Sequence, residues 1–461
     1  MSSDLLVEAL NALDSVQYEL HQYRTYYRGK QPIAYVSEES QQAIGDSLSR
    51  LVVNIPKVVI GELASRLRVV GFRPDAGLFD EWIRQDLDQL APLVHRSALL
   101  YSQAFVGVWA DSAGNPLVSV ESPEQVQMLT DAETRQPICA VKKWRVATGS
   151  KAGTYAVLYL PDRVEKWHSD GTSAANTALT LRETLDNPFG QVPMIRFLNA
   201  DLLGEGVSEI FDVMCLTDAL SKATIDAVTG SEFLAKPRRY AVGTQLRKVP
   251  VLDDDGNPLL ADGQPVTRLE KPFADDDKFM VSENPEAKFG SLPGSDLSGY
   301  KTVAELILSE LCAVTGMAPE HLGIYHSNPS SAEALKASQS TIVAKAEEKM
   351  QVFGRSWENV MRLVEAVRTG QNPEDVDVRV MWGDPSEKSE AAAADAATKL
   401  YGAGILSRET TLRRLGMNDQ EVAEELARHQ SDMQLGEDAK VGSYLAAISR
   451  TRTFEGTDAV R

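Results

Sequence analysis

The sequence predicts an α+β fold, mainly helical, and three observations carry that reading. Apolar residues recur every three or four positions across long windows, as amphipathic helices require. Short β-rich runs crowd the stretch from Phe105 to Phe197, separated by turn chemistry such as "DSAGNP". An acidic, proline-punctuated excursion, "VLDDDGNPLLADGQPVTRLEKPFADDD", then separates two of the helices. A chain of 461 residues is too long for one simple core, so two to four structural units are expected.

In chain order, residues 4–23 carry Leu6, Leu10, Leu13 and Leu20 at helical spacing, and "YRTYYRGK" ends that helix at Gly29. A second helix begins after Asn54 with Pro56 in its first turn and ends near Gly71; residues 78–103 form a third. The runs "FVGVWA", "LVSVES", "ICAVKKWRVA", "TYAVLYL" and "RVEKWHS" then form an antiparallel meander. A helix from Gly206 to Phe233 follows, with Val207, Ile210, Val213, Leu216, Leu220, Ala223 and Ala227 as its stripe. After the hairpin-rich excursion, helix resumes at Ser298, with Val303, Ile307, Leu311 and Val314 on one face, and stops at Gly316. Next comes the polar segment "GIYHSNPSSAEALKAS", then the longest helix, from Ser331 to Thr369. Its signals are a capping box of Ser330 and Glu333, a stripe of Ile342, Ala346, Met350, Phe353, Trp357, Met361 and Val364, and a bend at Gly354. A short strand in "VDVRVMW" precedes two helices, in "SEKSEAAAADAATKLYGAG" and "SRETTLRRLGMNDQEVAEELARH". The polar tail after them is expected to be poorly ordered.

Composition narrows the function. The net charge of −19 argues against gripping nucleic acid through clustered Lys and Arg, yet leaves room for surrounding it without gripping. Cys139, Cys215 and Cys312 form no CxxC pair, which fits a reducing cytoplasmic setting. The N-terminus "MSSDLLVEAL" does not read as a signal peptide. The most apolar window, "LVVNIPKVVIGELASRLRVV", holds Lys57, Glu62, Arg66 and Arg68, too much charge for a membrane span.

Catalytic patterns are missing. In "GSDLSGYKT" Tyr300 stands between Gly299 and Lys301 and spoils a phosphate loop, while "GEGVSE" lacks the third glycine of a dinucleotide fingerprint. The "DDDGNP" run resembles a calcium loop, but Pro258 and Gln264 replace its required Gly and Glu. His321 and His326 form no HExxH, and no GxSxG elbow occurs. No enzyme, no cofactor and no metal site is expected.

What remains is an order of parts: helix down, acidic β excursion, helix up, polar loop, very long helix, helical cap. That order resembles the portal proteins of tailed double-stranded DNA bacteriophages, closest to the siphophage-type family. The motifs "YYRGKQP", "NIPKVVIGELASRLRVVGF", "NPFGQVPMIRFLN", "GVSEIFDVMCLTDALSKATIDAV", "VTGMAPEHLG" and "SNPSSAEALKAS" carry the likeness over nearly the whole chain. The resemblance implies a phage portal architecture. Residues 1–203 would be most of the wing, 204–235 and 297–317 the stem helices, 236–296 the clip and 318–330 the tunnel loop. Residues 331–385 would be the long bent helix and strand of the wing, 386–430 the crown and 431–461 the tail.

The resemblance further implies a homo-oligomeric ring of twelve copies at one capsid vertex of the virion, assembled in the host bacterial cytoplasm. Double-stranded DNA would pass through without sequence specificity. The terminase large subunit and then a head-to-tail adaptor would dock on the clip, with the major capsid and scaffolding proteins as further partners and no membrane. Facing the channel would be His321, Tyr325, His326, Ser327, Asn328, Ser330 and Ser331, with Lys301 and Lys336 as basic candidates; Asp253, Asp254, Asp255, Arg268 and Lys271 would mark the clip docking surface. A small, weakly basic loop suits a sliding polyanion, because clustered Arg or Lys would create a deep electrostatic well. The alternative is a non-channel head-assembly component, a connector or minor capsid protein, in which the long helix only mediates oligomerisation.

Overall fold

The computed structural model describes residues 2–32, 51–74, 77–149, 151–172, 175–235, 297–324, 337–386, 390–415 and 422–431, with Met417 and short pieces between 239 and 291. The chain divides into two units, Met1–Pro385 and Ser386–Arg461.

In the first unit, α1 (Ser2–Tyr27) buries Leu6, Ala9, Leu10, Leu13, Leu20 and Tyr23, the stripe that its leucine spacing dictates. Leu6, Ala9 and Leu10 pack on Cys139, Val141, Ala156, Leu158 and Trp167 of a five-stranded antiparallel sheet. Arg24 Nη1 anchors the helix to Glu124 at 3.0 Å. That sheet has the order β4 (Val126–Thr130), β5 (Pro137–Val146), β6 (Gly153–Tyr159), β7 (Arg163–Ser169), β8 (Thr180–Asp186). A three-stranded sheet sets β2 (Gln103–Ala110) between β3 (Pro116–Glu121) and β9 (Met194–Leu198). All five expected runs are strands. β4, β8 and β9 escaped notice: "VQMLT" and "MIRFL" are short, and "TLRETLD" is an exposed edge with almost no apolar face.

Two helical expectations were too long. α2 (Ile55–Arg66) starts as expected, with Asn54 accepting from Lys57 N, but stops before Leu67. Val69–Arg73 is instead a strand, β1, paired antiparallel with Arg379–Trp382, the strand read in "VDVRVMW". A Cβ at Gly71 would sit 2.8 Å from Met381 Cε, so a larger residue there would make the Met381 side chain shift. The third helix is two, α3 (Leu78–Arg84) and α4 (Leu87–Tyr101). Between them Asp86 adopts φ 54°, and Gln85 leaves the helical register to hydrogen-bond both Pro116 O and Val118 N of β3.

The long helix, here α7 (Ser340–Thr369), lies at the centre of the largest core. Phe353, Trp357, Val360, Met361 and Val364 are fully buried along it. Trp357 meets Trp82 and Phe197, each at a ring distance of 4.7 Å, and its Nε1 donates to His95 Nε2 at 2.8 Å. Burial lowers the pKa of His95 to about 3, against a raising contribution from the Leu67 carbonyl, so the imidazole is neutral and free to accept. Gly354 allows close approach: a Cβ there would lie 3.0 Å from Val380 Cγ1 and 3.1 Å from Trp382 Nε1. The expected capping box, Ser330 and Glu333, lies outside the described residues.

In the second unit, α8 (Glu390–Gly402) and α9 (Arg408–Arg414) are joined by a turn with Gly404 at φ 72°. Ser407 caps α9 by accepting from Thr410 N, and residues 422–431 are helical. Among the described residues no helix is long and apolar enough to cross a membrane.

Candidate functional site

The expected pair of helices exists as an antiparallel hairpin, α5 (Phe211–Ala235) and α6 (Ser298–Thr315). Gly230 near the end of α5 faces Leu297 and Tyr300 at the start of α6, within 3.6 Å of a virtual Cβ. At the other end, Val213 of α5 and Val314 and Thr315 of α6 line one cavity. α5 begins five residues later than read. Glu205–Gly206 pairs instead with Ala200–Leu202, and Ser208 bonds Leu100 O, so the backbone is committed elsewhere until Ile210.

Between the helices the chain makes three antiparallel pairings nested inside one another. Arg239–Val242 pairs with Lys288–Ser291, Arg247–Pro250 with Thr267–Glu270, and Leu260–Ala261 with Gln264–Pro265. A hairpin-rich excursion is therefore present. Arg268 sits on it, exposed and opposite Val249; Asp253, Asp254, Asp255 and Lys271 lie outside the described residues.

The buried face of α6 differs from the stripe read in sequence. Ile307, Leu311 and Thr315 are buried, while Val303, Leu306 and Val314 are exposed, Leu306 at 59%. Helical spacing identified the apolar residues but not which of them meet α5. On α5, Val213, Leu220 and Ala223 are buried as read, joined by Thr217, Ser221 and Ile225, which the stripe omitted. Asp218 of α5 is partly buried, which raises its pKa, while the Tyr26 hydroxyl bond at 2.7 Å lowers it. Lys301 is exposed on α6 and pairs with Glu305, one turn on, at 3.6 Å.

α6 stops at Gly316, left-handed at φ 72°, and a short turn at Pro319–Leu322 follows. His321 in that turn does not stand free. Its Nδ1 lies 3.1 Å from Glu62 Oε2 of α2, whose carboxylate also faces Arg66 at 3.6 Å. Arg66 in turn donates to Pro385 O. The structure thus holds the root of the polar segment against the body, with Glu62 as a partner that sequence did not signal. Tyr325, His326, Ser327, Asn328, Ser330, Ser331 and Lys336 lie outside the described residues.

Comparison with known proteins bears on this arrangement. The profile of the family described as "Phage portal protein, SPP1 Gp6-like" matches residues 17–434. The portal protein of Mycobacterium phage D29 is 27% identical over 414 residues, covering 83% of this chain and 81% of that protein. The portal protein of Mycobacterium phage L5 is 26% identical over 453 residues, covering 91% and 87%. Among solved structures, a chain in the virion of a native gene transfer agent particle aligns with TM-score 0.44 and 14% identity, over 87% of this chain and 94% of that one. The chain belongs to the phage portal protein family of the SPP1 Gp6-like type, whose members are structural proteins of the phage particle.

Proposed function

We propose that this protein forms the ring at one vertex of a phage capsid, twelve copies around a channel for double-stranded DNA during packaging and ejection. The family match across residues 17–434 carries the reading. In it, the hairpin of α5 and α6 is the stem, the nested strand pairs are the clip, and residues 318–330 are the tunnel loop beside DNA. The terminase large subunit docks on the clip while DNA enters, and a head-to-tail adaptor replaces it. Capsid and scaffolding proteins surround the wing, and assembly occurs in the host bacterial cytoplasm.

Physical features support the assignment. Val303, Leu306 and Val314 leave an apolar strip on α6 that a neighbouring copy would cover. Isolated two-stranded pairings are marginal in water, so the clip gains from the clips beside it. The ring is a heterologous assembly, in which one face of each copy meets the opposite face of the next. The net charge of −19 per copy keeps the wall from holding DNA tightly.

The test is the native mass of the purified chain with particle images of the same sample. A mass near twelve times 50.4 kDa, with an open axial channel wide enough for duplex DNA, is expected. A closed dimer or tetramer without a channel would sink the reading.

A further inference from the structure

Two lysines stand where the apolar stripe of α7 calls for hydrophobic side chains. Lys345 and Lys349 lie one turn apart among the buried Ile342, Ala346 and Met350, and Lys349 is only 8% exposed. Burying an ammonium is costly unless it is paired. Both are paired, one with the last residue of α6 and the other with a residue just ahead of α5.

Lys345 Nζ donates to the Thr315 carbonyl at 2.9 Å. Thr315 is the last residue of α6, so the charge sits at the negative end of that helix. Lys349 Nζ lies 3.0 Å from Glu209 Oε1, two residues before α5. Glu209 is itself fixed: its Oε1 accepts from Asn199 Nδ2 at 3.0 Å and its backbone N–H donates to Leu99 O at 2.9 Å. A Cβ on Gly316 would come within 2.7 Å of Thr341 Cγ2, so the end of α6 lies flush on the first turn of α7. Between these contacts is a cavity of about 150 Å³, lined by Asp201, Asp212 and both lysines among others.

We propose that Lys345 and Lys349 are positioning residues that couple the stem to the long helix, so that displacement of either stem helix is passed to α7. Apolar contact is non-directional and allows slip, whereas a charge-assisted hydrogen bond is directional and either made or broken. The cavity leaves room for the helix ends to tilt once a bond is lost. The role in DNA movement rests on the channel reading above; the coupling itself is a property of one subunit.

The test uses the full chain with Lys345→Met, Lys349→Met and the charge-conserving Lys345→Arg. It reads amide hydrogen exchange, native mass and DNA-filled heads. Lys345→Met should speed exchange near Cys312–Ala318 by about tenfold, and Lys349→Met should do so near Glu209–Cys215, with α1 unchanged and Lys345→Arg close to the parent. Rings of parental mass should still form but lose most DNA filling. Unchanged exchange in both Met variants overturns the coupling, and so does normal filling by rings whose exchange is faster. Should a Met variant not fold, Glu209→Gln removes a charge with no loss of volume and puts the second bond to the same test. If the parent forms no ring, the channel reading fails while the exchange result still decides the coupling.

Discussion

The aromatic body around α7 and the hairpin of α5 and α6 belong to one chain but are stabilised differently. In the body, Trp357 touches Trp82, Phe197 and His95 and is fully buried. On α6, only Ile307, Leu311 and Thr315 of 18 residues are buried, and three large apolar side chains face outward. The aromatic core of the body closes within one subunit. The hairpin has half a core, and in the proposed ring a neighbouring copy would cover the other half.

The sharpest way to break that contrast is Trp357→Ala, which should cost about 3–5 kcal/mol of subunit stability, read as a denaturant midpoint. A cost below about 1 kcal/mol would show that the body is not the stabilising half. Next comes pH. The pKa of His95 is lowered in the folded state to about 3 from 6.5, so its contribution is fully present above 6.5 and drains away as pH falls toward 3. Within that window the unfolding equilibrium should grow by up to about tenfold per pH unit from this group. His95→Phe should flatten that slope, at the expense of leaving the Trp357 N–H unpaired; an unchanged slope would discount the group.

Leu306→Asp sharpens the comparison from the other side. Subunit stability should move by less than about 0.5 kcal/mol, since Leu306 is already exposed, while the native mass of the oligomer falls. The same change at Leu311, fully buried, should unfold the hairpin instead. The smallest effect is expected at Lys301→Ala. Its exposed pair with Glu305 is worth about 0.3–0.5 kcal/mol, so a melting shift beyond a degree or two would mean the pair does more than hold one helical turn.

The two regions were not equally legible in the sequence. Helices whose stripe is fully used, α1 and α7, could be read from spacing alone, because every leucine of the one stripe and every residue of the other meets a core. α6 was only half legible: Ile307 and Leu311 are buried as read, while Val303 and Val314 of the same stripe are exposed. β1 was read as helix because its partner lies some three hundred residues away, beyond any local pattern. The clearest missed signal was local: Lys345 and Lys349 occupy stripe positions on an otherwise apolar face, and charge there marks a paired, positioned group. Glu62 offered none, being one acid among many on a helix surface until His321 is brought to it.

The pairing of Val69–Arg73 with Arg379–Trp382 also fixes an order of events during synthesis. The first strand leaves the ribosome early and must wait for its mate, because α3 to α7 and strands β2 to β9 all lie in sequence between the two halves of one sheet. Closing so long a loop adds little equilibrium cost but is slow. Trp357, Phe353 and the rest of the core face on α7 arrive just before the second strand, so the body closes only after α5 and α6 have been synthesised. A truncated chain ending before Trp382 would therefore carry a finished hairpin on an unfinished body.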